Sequence, residues 1–200
     1  MPDPLGQGGT EMGRDTTLLS ATLGQESLWR KVFAVLAGSL LIAVAAQFSV
    51  PIGPVPLSLQ TLAILTIGLT YGSRLGAITL LAYLAEGAAG LPVFSNGGAG
   101  IGYMMGPTGG FLIGFVATAW IAGLAADRGW TSNIAKTLPL ALIAAVVLYI
   151  PGLLWPAAML GTDWSALWSG WMAPFLTGDV IKAVLATLAV AGGWAVLKRR

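Results

Sequence analysis

Pro174-Phe-Leu-Thr-Gly-Asp-Val-Ile-Lys-Ala-Val-Leu-Ala186 opens the last apolar stretch of the chain, which runs to Lys198 with one acid, Asp179, and one base, Lys182, inside it. In a helix three residues turn through about 300°, so the two side chains share one face. At the centre of a membrane each costs about 2.5–3.5 kcal/mol on insertion scales, so such residues face an interior and tend to be functional. Two readings stand side by side. One is a mutual i,i+3 ion pair that pins helix packing; the other is a polar grip on a small ligand.

Composition places that stretch in lipid. Of 200 residues, 56% are hydrophobic and 9% charged, against about 25% charged in a soluble domain. Such a chain cannot cover a water-facing surface. Net charge is +2, with no basic cluster interleaved with aromatics, which excludes nucleic acid as a partner. Cysteine is absent, so disulfide and thiol chemistry are excluded; histidine is absent, which removes the commonest metal ligand and general base.

Taken in order, residues 1–29 are polar and Gly-rich, and read as a mobile cytoplasmic N-terminal tail with a short amphipathic piece near 18–29. The membrane domain, 30–200, contains apolar spans at about 32–50, 57–71, 75–90, 111–126, 138–154 (interrupted by Pro151-Gly152) and 175–197. Pro51-Ile-Gly-Pro-Val-Pro56 cannot be helical, since three prolines remove donors and restrict their predecessors. The tryptophans at 155, 164, 168 and 171 suit an interfacial belt. The fold class is therefore all-α: a multi-pass integral membrane protein with six transmembrane helices, several near the lower length limit for crossing.

Charge sets the orientation. Arg14, Arg30, Lys31, Arg74, Arg128, Lys136, Lys198, Arg199 and Arg200 all fall on one side of six spans, and Lys182 lies within the membrane. The opposite connections, 51–56, 91–110 and 155–173, hold no Lys or Arg. Both termini are accordingly cytoplasmic. Asp179 and Lys182 then sit about 7–8 and 12 Å below the outer end of the sixth helix, with Phe175 above them and Ala186 below on the same stripe.

The connection Gly90-Leu-Pro-Val-Phe-Ser-Asn-Gly-Gly-Ala-Gly-Ile-Gly-Tyr-Met-Met-Gly-Pro-Thr-Gly-Gly110 reads either as a flexible surface loop or as backbone folded over a ligand cavity. Asn96 offers both a donor and an acceptor, and free N–H groups near 107–110 would favour an anion. Gly106-Pro-Thr-Gly-Gly110 lacks the Gly-Lys-Ser/Thr ending of a P-loop, and no such motif occurs elsewhere. Glu86 reads as an interfacial acid or a proton-linked one. Gln47 and Gln60 lie near outer helix ends, where they would line the cavity or bridge helices. Ala34 with Gly38, and Ser39 with Ala43, set small residues four apart on the first span, a surface expected to meet a partner subunit.

The succession Val50-Pro-Ile-Gly-Pro-Val-Pro, Leu59-Gln-Thr, Gly90-Leu-Pro-Val-Phe, Gly106-Pro-Thr-Gly-Gly-Phe-Leu-Ile-Gly-Phe and Gly178-Asp-Val-Ile-Lys-Ala resembles the BioY family over about 30–197. These are biotin-specific substrate-binding subunits (S components) of energy-coupling-factor (ECF) vitamin importers. The resemblance implies six helices in the plasma (inner) membrane, and biotin held as ligand with no cofactor and no metal. It implies that the chain is not an enzyme and that its partners are a transmembrane coupling subunit and two ATPase subunits. Asp179 and Lys182 would hold the fused-ring head of biotin, and Asn96 would lie near the valerate end. The resemblance also implies, for some members, an Arg after the Gly-rich loop that holds the carboxylate, whereas this chain has no Lys or Arg from 75 to 127.

The chemistry agrees. A cyclic urea offers N–H donors to Asp179 and a carbonyl to Lys182, both charge-assisted. The sulfur-bearing ring needs apolar and aromatic walls, for which Phe94, Tyr103 and the tryptophans at 164–171 are candidates beside Gln60. Two rivals remain: a solo vitamin transporter driven by protons through Glu86, and a retinal photoreceptor with Lys182 as Schiff base, which has one helix too few. Reporters fused after Arg200 and within 128–136 should read cytoplasmic, and one within 155–173 external. A protected, cytoplasmic signal from 155–173 would sink the six-helix arrangement.

Overall fold

The structure, a computed structural model, describes residues 17–23, 27–52 and 55–199. The expected mobile tail therefore lies largely outside the described residues. A six-residue helix α1 (Leu18–Leu23) leads to α2 (Leu28–Gln47). Strands β1 (Ser49–Ile52) and β2 (Val55–Ser58) form a hairpin, followed by α3 (Gln60–Tyr71) and α4 (Ser73–Ala88). The Gly-rich connection contains a 3-10 turn at Ser95–Gly97 and a short α5 (Gly100–Met104), then α6 (Gly109–Asp127). Next come α7 (Ile134–Val147), α8 (Tyr149–Leu160), α9 (Trp164–Leu167) and α10 (Ala173–Leu197).

Among the described residues, four stretches are long and apolar enough to cross a bilayer: Leu28–Gln47, Gly109–Asp127, Ile134–Leu160 and Trp164–Leu197. The twelve residues of α3 reach only about 18 Å, short of a hydrocarbon core about 30 Å thick.

Proline chemistry explains where the elements depart from the sequence reading. The segment at 49–58 is a short antiparallel ribbon with Pro51 opposite Pro56, a place where a missing N–H need not break a ladder. The fifth stretch extends past 154 to Leu160 and breaks at Leu148, because Pro151 has no N–H for the carbonyl of Val147. Trp155 is thus helical rather than part of an outer connection. Pro174 likewise cannot donate to the carbonyl of Gly170, and Trp168–Met172 widens into a π turn. Asp163 caps α9 by accepting from the N–H groups of Ala166 (3.0 Å) and Ser165 (2.9 Å). These bonds hold its carboxyl below the usual carboxylate range.

The bundle has two differently built halves. Where residues near both ends of the chain meet, with Leu18 against Gly193, the core is Leu65, Leu69, Ala122, Ala125, Ala141, Ala144, Ala183, Ala186 and Val190. Small side chains let these helices close tightly. The opposite half is aromatic, with Tyr83, Phe94, Phe111, Phe115, Tyr149, Trp171 and Phe175. Rings hold the same helices apart.

Helices α3, α4 and α6 are seated backbone on backbone. A Cβ at Gly68 would lie 2.5 Å from the Ala119 carbonyl oxygen, and one at Gly123 2.3 Å from the Ser73 nitrogen. Asp127, at the end of α6, accepts from the Ser73 N–H and hydroxyl and so caps α4. The small residues of α2 correct an expectation. Ala34, Gly38 and Ser39 are buried, with Gly38 against Thr79 and Tyr71 and the Tyr71 hydroxyl donating to the Ala34 carbonyl at 3.0 Å. They meet this chain's own helices, and the outward face of α2 is Phe33, Leu36, Leu40 and Val44.

Gly123→Ala should therefore lower the heat-unfolding midpoint in detergent, at a cost of about 1–3 kcal/mol. Gly192→Ala, with nothing within 4 Å of its Cβ, should leave stability unchanged or raise it by up to about 1 kcal/mol. Equal midpoints for the two variants would contradict the close crossing.

Candidate functional site

The aromatic half encloses about 560 Å³ of empty space, partly open to solvent. Its walls come from β2, the first turns of α3 and α6, α5, the α7–α8 junction, and the first half of α10. Asp179 and Lys182 both line it and are 6% and 7% exposed. The Lys182 ammonium donates to Asp179 Oδ1 at 3.1 Å. The Tyr149 hydroxyl donates to the other oxygen, Oδ2, at 2.5 Å. Each carboxylate oxygen keeps a further lone pair, and the ammonium has three donors in all. The group is paired without being saturated.

Gln60 lines the cavity at the start of α3 and is buried. Its Nε2 donates to the Tyr83 hydroxyl at 2.9 Å, and that hydroxyl donates to the Val93 carbonyl at 2.9 Å. Gln60 Oε1 accepts from Ser95 Oγ at 2.8 Å and from Ser58 Oγ at 3.1 Å. The amide is thus a knot between hairpin, core and Gly-rich connection. Tyr103 faces the cavity and stacks on Phe94, centroids 5.1 Å apart. Phe94 itself is fully buried beneath, edge-on to Tyr83 at 5.5 Å, and is not a lining residue.

Asn96 is exposed at the tip of the 3-10 turn, with φ 58°, and lies outside the lining. Its Oδ1 accepts from Ser49 Oγ at 3.0 Å. Gln47 secures the same tip: Nε2 donates to the Phe94 carbonyl at 3.1 Å, and Oε1 accepts from the Gly97 N–H at 3.0 Å. The far end of the connection is held by Trp155, whose indole N–H donates to the Gly106 carbonyl at 3.0 Å. The Gly109 N–H, expected to be free for an anion, donates to the Gly106 carbonyl at 3.1 Å. Glu86 lies away from the lining and accepts from Ser39 on α2.

Sequence reasoning missed Tyr149, Ser95, Thr108, Phe111 and Phe115, all lining residues. An aromatic in an apolar run carries no signal of its own, and Tyr149 meets an acid thirty positions away. The one cue was the Pro151-Gly152 pair, which marks a helix break beside it.

Apolar crossing helices around an internal cavity with a buried, paired acid and base define a multi-pass membrane protein with a built small-molecule site. The BioY family profile matches residues 16–199, and the chain belongs to that family. It is 37% identical over 148 residues to a probable biotin transporter BioY of Pyrococcus horikoshii, covering 74% of this chain and 86% of that one. The biotin transporter BioY of Rhizobium etli is 34% identical over 181 residues, 84% and 96% of the two chains. The crystal structure of the S-component for biotin from an ECF-type ABC transporter superposes with a TM-score of 0.73 at 26% identity, covering 84% of this chain and 93% of the other.

If Gln47 holds the turn, Gln47→Ala should speed amide hydrogen exchange at Gly97 by up to about thirtyfold, since two hydrogen bonds of about 1 kcal/mol each are lost. Unchanged exchange there would mean that the turn is held by other contacts.

Proposed function

We propose that this chain captures biotin from outside the cell and serves its uptake as the substrate-binding subunit of an ECF-type ATP-driven importer. Its place is the plasma (inner) membrane, crossed by six segments: α2, α3 together with the extended residues of β2 before it, α4, α6, the broken α7–α8 rod, and the run ending in α10, with local thinning of the bilayer where a segment is short. Residues 1–29 form the cytoplasmic N-terminal portion and 30–200 the membrane domain, with both termini in the cytoplasm. The partners are a transmembrane coupling subunit and two ATPase subunits, which supply the energy that a chain without a P-loop lacks. It binds and carries; it catalyses no reaction.

The observation that carries this reading is the unsaturated Asp179–Lys182 pair on the cavity wall. The urea N–H groups of biotin donate to Asp179, and its carbonyl accepts from Lys182, both as charge-assisted bonds. Tyr149 aims the carboxylate. Tyr103, Trp171 and Phe175 form walls for the sulfur-bearing ring, and Gln60 offers an amide beside them. Phe94 acts through Tyr103, and Asn96 through the position of the loop tip.

Asp179→Asn and Lys182→Met should each weaken biotin binding by about 1.5–3 kcal/mol, the range for hydrogen bonds to charged groups. That is roughly ten- to over a hundredfold in affinity, and the double variant should not restore it. A double variant with native affinity would reduce the pair to a packing device. Dethiobiotin keeps the urea and should bind, whereas iminobiotin, which brings a cationic donor to the ammonium, should bind far worse. Equal affinity for the two would refute the assignment of Lys182 to the carbonyl.

A further inference from the structure

We infer that this cavity reads the side-chain end of its ligand without a cation, so that biotin whose carboxyl is tied up as a neutral amide or small ester is taken about as well as the free acid. The inference rests on the reading of Asp179 and Lys182 as partners of the urea. Among the described residues, these two are the only charged side chains in the lining, and they neutralise each other at 3.1 Å. Once the ring urea has engaged both, no lining charge is left for a carboxylate.

Depth separates the two ends of the ligand. The charged pair is buried, while Ser58, Tyr103 and Thr108 are half-buried lining residues nearer solvent. The rim is thus polar but neutral. The other described cations sit at the far ends of their helices: Arg30 and Lys31 in the first turn of α2, Arg74 in that of α4, Lys136 in that of α7, Arg128 closing α6, and Lys198 and Arg199 past the end of α10. The first turn of α6 lines the rim, yet its glycines turn to α8, where a Cβ on Gly110 would lie 2.1 Å from the Pro151 carbonyl oxygen. At a helix end that solvent reaches, the dipole favours an anion by about twofold to fivefold. A charged hydrogen bond would contribute about tenfold to over a hundredfold. The carboxylate therefore stays hydrated at the rim, and removing its charge costs little.

The test is titration of the purified protein in detergent with biotin, its primary amide and its methyl ester. The three dissociation constants should agree within about fivefold, with the acid-to-amide ratio independent of salt. A preference for the acid of tenfold or more overturns the inference while leaving biotin capture intact. Failure of all three to bind overturns biotin capture, and the inference with it. Thr108→Arg puts a cation at the rim and should raise the preference for the acid by about tenfold or more, folding being followed by circular dichroism and the heat-unfolding midpoint. Ser58→Arg repeats the test if Thr108→Arg does not fold. An unchanged ratio in a folded variant overturns the placement of the side-chain end at this rim.

Discussion

An ammonium and a carboxylate kept from water govern the design of this molecule. Removing such ions from water costs several kcal/mol each, and the loss is recovered only when geometry and further hydrogen bonds are good. Asp179 has Lys182 on one oxygen and Tyr149 on the other, which is enough to hold it aimed. It is not enough to fill every lone pair and donor. A ligand that completes the set gains charge-assisted bonds in a site whose desolvation cost was met on folding. The long apolar helices around the pair make that possible by excluding lipid headgroups and bulk water alike.

The cavity exists because the bundle changes its packing material along its length. Six alanines, with two leucines and a valine, let α3, α6, α7 and α10 close in the half that holds residues near both ends of the chain. Past Lys182 toward the other end, rings of six to nine atoms replace methyl groups, and the helices cannot meet. The void therefore lies in the aromatic half. Residues of the connections lacking Lys and Arg line it, among them Ser95, Tyr103 and Thr108 from 91–110.

Much of this was legible in the residues. The i,i+3 spacing of Asp179 and Lys182 states a shared face whatever the surrounding fold, and Gln60 stood out as an amide at the start of an apolar run. Tyr149 could not be seen, because its position depends on a helix break and its partner lies on another helix. Phe94 and Tyr103 are both rings in a Gly-rich stretch; only their stacking order decides which meets the cavity and which supports it. The small residues of α2 gave a face without naming its neighbour, and that neighbour is Thr79 and Tyr71 of the same chain. Prolines excluded a helix at 51–56, but a ladder that sets two of them opposite each other is a tertiary choice.

Helix α8 joins two contacts otherwise described apart. Tyr149, its first residue, touches the acid in the cavity; Trp155, six residues on, grips the connection at Gly106. About 9 Å of helix separates them, too short a rod to bend. The rod begins at the break at Leu148. The partner of the acid and the anchor of the connection therefore stand on one stretch of helix, at a fixed spacing. The depth of the wall and the outer edge of the connection are thereby set by one piece, as two pegs on one board keep their distance.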